Sequence, residues 1–337
     1  MSGVRRRTGL AVVIVGVMAT GPALACDFAG EAPEWTAEAL AAWNRLDRER
    51  LQTPKPVAPI ITLYDDACVH RLTPEAAGAF VVGARTYSVR SAPHDGTVEL
   101  PDGGAIPARR LAMAYPLAHG MAFVMALPSL WRANTEEPRD PDRLAMVVFM
   151  HEFAHTQQGD SLGPRIDALV AAGLPPEVDD DLIQKRFAGM ADYLDAWARE
   201  RDLFYAAAFA PDRDTTHRLA SQAAALMQTR RARWLDGDDG LLAAADDVFL
   251  TFEGAGNWAA WIWLTDARGG GLDPAAAAEF IRGRRTFWSQ DQGLAIMLTL
   301  EHLLPDWPAR AFGTPAVTID GLLSEVLKEA GSQVAAP

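Results

Sequence analysis

The sequence predicts an α+β protein: a small mixed β-sheet in an N-terminal lobe that includes one buried helix, then a mostly α-helical C-terminal lobe. Three observations carry this. Short apolar and β-branched runs separated by turn signals fill residues 60–127. Asp140-Pro141-Asp142 is a helix start that opens into an unbroken apolar run. From Leu182 onward the chain reads as one helix after another.

The N-terminus reads as an export leader. Arg5, Arg6 and Arg7 precede a short apolar stretch from Leu10 to Met18, and Ala23-Leu24-Ala25 is an A-x-A cleavage site. The apolar stretch is too short to span a bilayer. The expected organisation is a signal peptide over 1–25, an α/β lobe over 26–159 and a helical lobe over 160–337. The destination is periplasmic or secreted. Cleavage after Ala25 would leave Cys26 first; the only other cysteine is Cys68. In an oxidising compartment the two can form a disulfide; the alternative is a lipidated Cys26. The net charge is −13, and losing the leader removes three arginines and no acids. That argues against nucleic acid or an anionic membrane surface as a partner.

The elements follow in order. Trp35 to Leu51 reads as a helix, ended by Pro54, Pro56 and Pro59. Ile60–Tyr64, Ala79–Arg90, Thr97–Leu100, Leu111–Tyr115 and Gly120–Leu127 read as strands, with turns at Asp95-Gly96 and Asp102-Gly103-Gly104. Gly159 is a plausible stop for the helix that Asp140 starts, and Gly159–Asp181, rich in Gly, Pro and Asp, reads as a loop beside the cleft. Helices are expected near 182–209, 212–235, 240–266, 274–284, 288–304 and 318–330.

The helix from Asp140 carries His151-Glu152-Phe153-Ala154-His155. Residues four apart on an α-helix lie roughly 40° apart around its axis, so both imidazoles share a face and can bind one metal ion. Glu152 then sits beside the metal, placed to take a proton from water. Leu144 to Met150 are apolar, so the helix is buried and its polar groups need partners. The alternative is that each histidine bonds a backbone carbonyl and Glu152 pairs with an arginine.

On these residues, from about Asp140 to Gln158, the chain resembles the zincin metallopeptidases. The resemblance implies a zinc ion held by His151 and His155, with Glu152 as general base. The G-x-x-H extension found in some zincins is absent, and no histidine follows until His217. The third ligand must come from farther along. Glu253 is one candidate: a lone carboxylate in Phe249-Leu250-Thr251-Phe252-Glu253-Gly254-Ala255-Gly256-Asn257-Trp258, where burial demands a cation or several donors. This segment is similar to the E-G-x-A-x-[YW] element of bacterial zincin-like families, in which the glutamate is the distal ligand; Gly256 stands here in place of the usual alanine. Glu200 is the other, in a charged amphipathic stretch where a solvated pairing with Arg201 or another basic neighbour competes with a ligand-supporting role. Arg284 to Ala295 is similar to the helix that follows the glutamate element, or is a plain core helix with a glycine at a close crossing.

The function expected is an exported zinc-dependent metallohydrolase, with peptides or proteins as substrates. Glu152 would take the proton of a zinc-activated water and pass it to the leaving amine. Tyr205, His217 and Arg285 are candidates by residue type for steadying the oxyanion. In the resemblance, the strand nearest the site pairs with extended substrate; Gly120–Leu127 is the candidate, unless it is a central strand. Two other readings stand beside this: a catalytically inactive zincin fold that binds zinc or a partner, and a metal-free helical protein with His151 and His155 as core residues. Trp258, Trp261 and Trp263 suit a sugar platform or, at helical spacing, the core.

Overall fold

Residues 60–126 build a six-stranded mixed sheet, its central strands largely buried on both faces, and a separate two-stranded hairpin. The computed structural model of the chain describes residues 26–133, 136–236, 240–283 and 286–333. The expected leader at 1–25 and the candidate Arg285 lie outside them. The strands are β1 (Ile60–Tyr64), β2 (Cys68–Pro74), β3 (Phe80–Val82), β4 (Arg85–Pro93), β5 (Thr97–Glu99), β6 (Ala105–Pro107), β7 (Ala112–Pro116) and β8 (Met121–Ala126). Six of them form a sheet in the order β3-β4-β2-β1-β8-β7; β5 and β6 form a separate hairpin. Only β1 and β8 run parallel in that sheet.

Sequence reasoning overlooked β2, whose charged and polar residues hide the alternation, and read β3 and β4 as one run across the turn at Gly83. Of the two readings of Gly120–Leu127, substrate-pairing edge or buried central strand, the structure has the central one. Every residue of β8 is buried, and the strand lies between β1 and β7. The sheet's edges are β3 and β7, of which β7 is the neighbour of β8.

The helices are α1 (Glu31–Leu46, continued by a π-helical turn at Asp47–Leu51), α2 (Pro128–Arg132), α3 (Pro141–Ala171), α4 (Leu182–Phe187), α5 (Ala191–Ala208) and α6 (Arg213–Trp234). After them come α7 (Leu241–Thr265), α8 (Pro274–Arg282), α9 (Trp288–Leu303), α10 (Trp307–Ala311) and α11 (Ile319–Gln333). The expected helix over 182–209 breaks into α4 and α5 around Gly189. Among the described residues no helix is long and apolar enough to cross a membrane.

α3 starts as the sequence implies: the Asp140 side chain accepts from Arg143 N at 2.7 Å, and Pro141 takes the first turn. It does not stop at Gly159. The helix runs on through Gly159 and Pro164 to Ala171, so half of the expected loop is helical. Gly159 serves a close approach instead: a Cβ there would lie 2.4 Å from Met121 Sδ on β8. Pro164 forgoes one helical hydrogen bond on a half-exposed stretch where water can replace it.

α3 is held in place by aromatic packing. Trp35 and Trp43 of α1 meet Phe149 and Phe153, and Phe123 of β8 meets both phenylalanines at 5.3 Å between ring centroids. The same buried cluster continues through Trp258 of α7 and Leu298 of α9. Trp258 is wholly buried and donates Nε1 to Glu301, and Trp261 donates to the Pro274 carbonyl, so both side chains are occupied by packing. Cys26 and Cys68 form a disulfide, which fastens the chain ahead of α1 to β2 and occupies the thiol that lipidation would need.

α7 crosses α9 at Gly254 and Gly293. A Cβ on Gly254 would come within 2.6 Å of the Gly293 carbonyl carbon. Gly254→Ala is therefore expected to destabilise the fold by about 1–3 kcal/mol through overpacking, read from the midpoint of chemical denaturation.

Candidate metal centre

Helical spacing on α3 puts His151 and His155 on one face, and that face meets α7 where Glu253 projects. His151 Nε2 and His155 Nε2 are 3.1 Å apart. Glu253 Oε2 lies 3.1 Å from His151 Nε2, and Oε1 lies 3.6 Å from His155 Nε2. Ligand atoms about 2.0–2.2 Å from a tetrahedral metal are separated by roughly 3.3–3.6 Å from one another, so these three atoms form a triangle close to one face of such a site. All three residues are buried.

The remaining imidazole nitrogens explain why the triangle is directed. His151 Nδ1 lies 2.8 Å from Asn257 Oδ1, and His155 Nδ1 lies 3.0 Å from Gln158 Oε1. Amide oxygens only accept, so each imidazole donates from Nδ1, which leaves Nε2 turned inward as the atom that can present a lone pair to a metal. Asn257 is itself fixed, donating Nδ2 to the Gln290 carbonyl at 3.0 Å. Phe252 stacks on His155 at 3.8 Å between centroids. Gly256 makes room for the imidazoles: a Cβ there would lie 2.9 Å from His151 Nδ1 and 3.1 Å from His155 Cε1.

Two lone pairs aimed at each other across 3.1 Å repel unless a proton or a cation lies between them. Glu253 Oε2 is buried without a well-formed hydrogen bond. The charges carry the same mark. Burial works against a charged His151, but the Glu253 carboxylate outweighs it and holds the imidazole up at about 9. Burial pushes His155 down to about 4. Burial would raise Glu253 too, yet the two imidazoles, with Gln290, hold it below the ordinary range. The Glu253 carboxylate thus favours one positive charge beside it, and the group His151, His155 and Glu253 can hold a metal ion.

Glu152 lines a cleft of about 480 Å³ together with His151 and Asn257. Burial, helped by the Glu253 and Asp180 carboxylates and opposed by His151, pushes Glu152 up to about 7. Val147 and Val148 of α3 and Ile281 of α8 make an apolar wall.

Glu200 is not part of the centre. It is neither solvated nor paired with Arg201; it is wholly buried and accepts from Arg230 Nε at 2.9 Å. Tyr205 donates to Asp291 Oδ1 at 2.9 Å and is committed there. His217 is on α6 and does not line the cleft. Sequence reasoning missed Asn257, Gln158 and Gln290, although Asn257 sits one helical turn after Glu253, where its face was readable. It also missed Asp180, which burial and the Glu253 charge raise to about 7, and Arg282, a cleft residue. No protein-family model, curated protein or solved structure matches the chain.

Two substitutions separate the roles. Asn257→Ala is expected to weaken metal binding about 10–100-fold, measured by competition with a chromogenic chelator, because His151 loses its orienting partner. Glu200→Ala is expected to leave metal affinity unchanged while lowering unfolding free energy by about 3 kcal/mol or more, since it strips a buried guanidinium of a partner.

Proposed function

We propose that the chain is an exported zinc-dependent hydrolase acting on peptides. The observation that carries the proposal is the convergence of His151 Nε2, His155 Nε2 and the Glu253 carboxylate, with Glu152 beside them in an open cleft. Two imidazoles and a carboxylate suit zinc in the manner of a catalytic site, with three protein ligands and one position open. Zinc bound there would supply Lewis acidity, lowering the pKa of water and polarising a carbonyl.

The residues of the chain do the rest. Glu152 carries a carboxyl near pH 7, where a general base works best. Its carboxylate takes a proton from the attacking water and returns it to the nitrogen that leaves. Asn257 and Gln158 hold the two imidazoles still. The apolar wall of Val147, Val148 and Ile281 accommodates a side chain of the substrate and excludes water. Export rests on the leader-like first 25 residues and on the Cys26–Cys68 disulfide, which suits an oxidising compartment.

Elemental mass spectrometry of the purified chain, with hydrolysis of a quenched-fluorescent peptide library, tests the proposal. About one zinc per chain is expected, with cleavage reduced by about 10²-fold or more in Glu152→Gln at unchanged zinc content. Full zinc with no cleavage of any peptide would turn the reading to the inactive zinc- or partner-binding form. A folded chain that takes up no zinc would overturn it.

A further inference from the structure

The chain is strongly acidic, whereas the cleft balances its charges: Arg110, Arg139 and Arg282 line it together with Glu136, Glu137 and Glu152. Arg139 is occupied, gripping Glu137 through Nε at 2.8 Å and Nη2 at 3.0 Å and donating Nη1 to the Phe280 carbonyl. Arg282 is different. Its side chain is 8% exposed and its guanidinium lies 4.1 Å from the centre of the Tyr205 ring. Nε donates to Asp291 Oδ1 at 2.8 Å and Nη1 to Glu279 Oε1 at 2.7 Å. Among the described residues Nη2 donates to nothing, and it is left for the cleft that Arg282 shares with His151, Glu152 and Asn257.

The local charge does not balance. Asp291, 2% exposed, is shared by Arg282 and by Arg201, whose Nη1 is 3.3 Å from Asp291 Oδ2. Glu279 and Asp202, the other carboxylates on these arginines, are exposed, and water screens them. Two buried guanidinium groups thus face one buried carboxylate. Arg110, exposed on the cleft wall, rests over the Trp131 ring at 5.4 Å, with its charge also felt by Glu137. A rigid guanidinium with a spare N–H beside a reaction centre is a receptor for an anionic oxygen, and a carboxylate suits it better than a carbonyl.

We propose that the cleft selects substrates bearing a carboxylate close to the bond that is cut, received by Arg282 Nη2, with Arg110 drawing the anion in. This rests on the hydrolase reading for the bond that is cut, but the recognition itself needs no turnover. The carboxylate comes from one of two sources: the C-terminus of a short peptide, or an aspartate or glutamate side chain.

Binding to zinc-supplied Glu152→Gln protein, which separates recognition from cleavage, is measured by fluorescence anisotropy. The probes are fluorescein-labelled pentapeptides in matched pairs: free acid against C-terminal amide, and an internal aspartate against asparagine. In at least one pair the carboxylate form is expected to bind about tenfold tighter, the scale of a charge-assisted hydrogen bond. The pair that responds identifies the source. Arg282→Gln is expected to abolish that preference without weakening the neutral peptides. Because Arg282 also supports Asp291, the peptide pairs on protein with Arg282 intact decide the matter alone. Equal affinity within both pairs there would overturn the proposal, as would a preference that survives in folded Arg282→Gln protein. Cleavage by the unsubstituted chain is read separately, so failure of the hydrolase reading and failure of carboxylate recognition give different results.

Discussion

Contact between α3 and α7 is the constraint on which the rest of the site depends. Neither helix holds a metal-binding group alone: α3 brings two imidazoles and α7 one carboxylate. The two must lie close enough for three ligand atoms to converge, and glycine permits that on both sides of α7. Gly256 opens space for His151 and His155, whereas Gly254 lets α9 close against the opposite face. Polar atoms placed in so tight and dry a contact are stable only if each is satisfied. Asn257 and Gln158 satisfy the outward nitrogens; the inward ones, with Glu253 Oε2, are left for a cation.

α9 extends this order outward. Three successive residues at its start each serve a different part of the molecule. Gln290 supports Asn257 and Glu253, Asp291 receives Tyr205 and Arg282, and Gln292 donates to Glu200. Glu200 belongs to a buried network in which Arg230, 1% exposed, also donates to the Tyr193 hydroxyl at 2.6 Å and to Asp246 at 3.0 Å. The candidate metal group and the charged core of the helical part are thus joined through one turn of one helix. Such a network favours a single arrangement because any slip leaves a buried charge unpaired.

How much of this was legible depended on how local each signal was. His151, Glu152 and His155 lie on one helix, where spacing alone places them. Glu253 stood out because a carboxylate among aromatic and aliphatic residues must have a buried purpose. Glu200 misled because its neighbours alternate in sign like a solvated face, and its true partner, Arg230, comes from the next helix. Gly159 carried the local signature of a helix stop, but its role is set by Met121 on a strand, which no window around Gly159 contains. β2 was invisible for a related reason: Arg71 and His70 are strand residues whose environment is set by β1 and β4. Arg282 was unremarkable until folding set Tyr205, Asp291 and His151 around it.

The central claim is that His151, His155 and Glu253 together hold one zinc ion. X-ray absorption at the zinc edge, on the purified chain supplied with one equivalent of zinc, examines it most directly. Expected is a nitrogen and oxygen shell at about 2.0–2.1 Å, with outer scattering from about two imidazoles and no sulfur. In Glu253→Ala the two-imidazole signature should persist at reduced affinity with one protein oxygen lost. Zinc bound through fewer than two imidazoles, or a spectrum unchanged by Glu253→Ala, would contradict the claim.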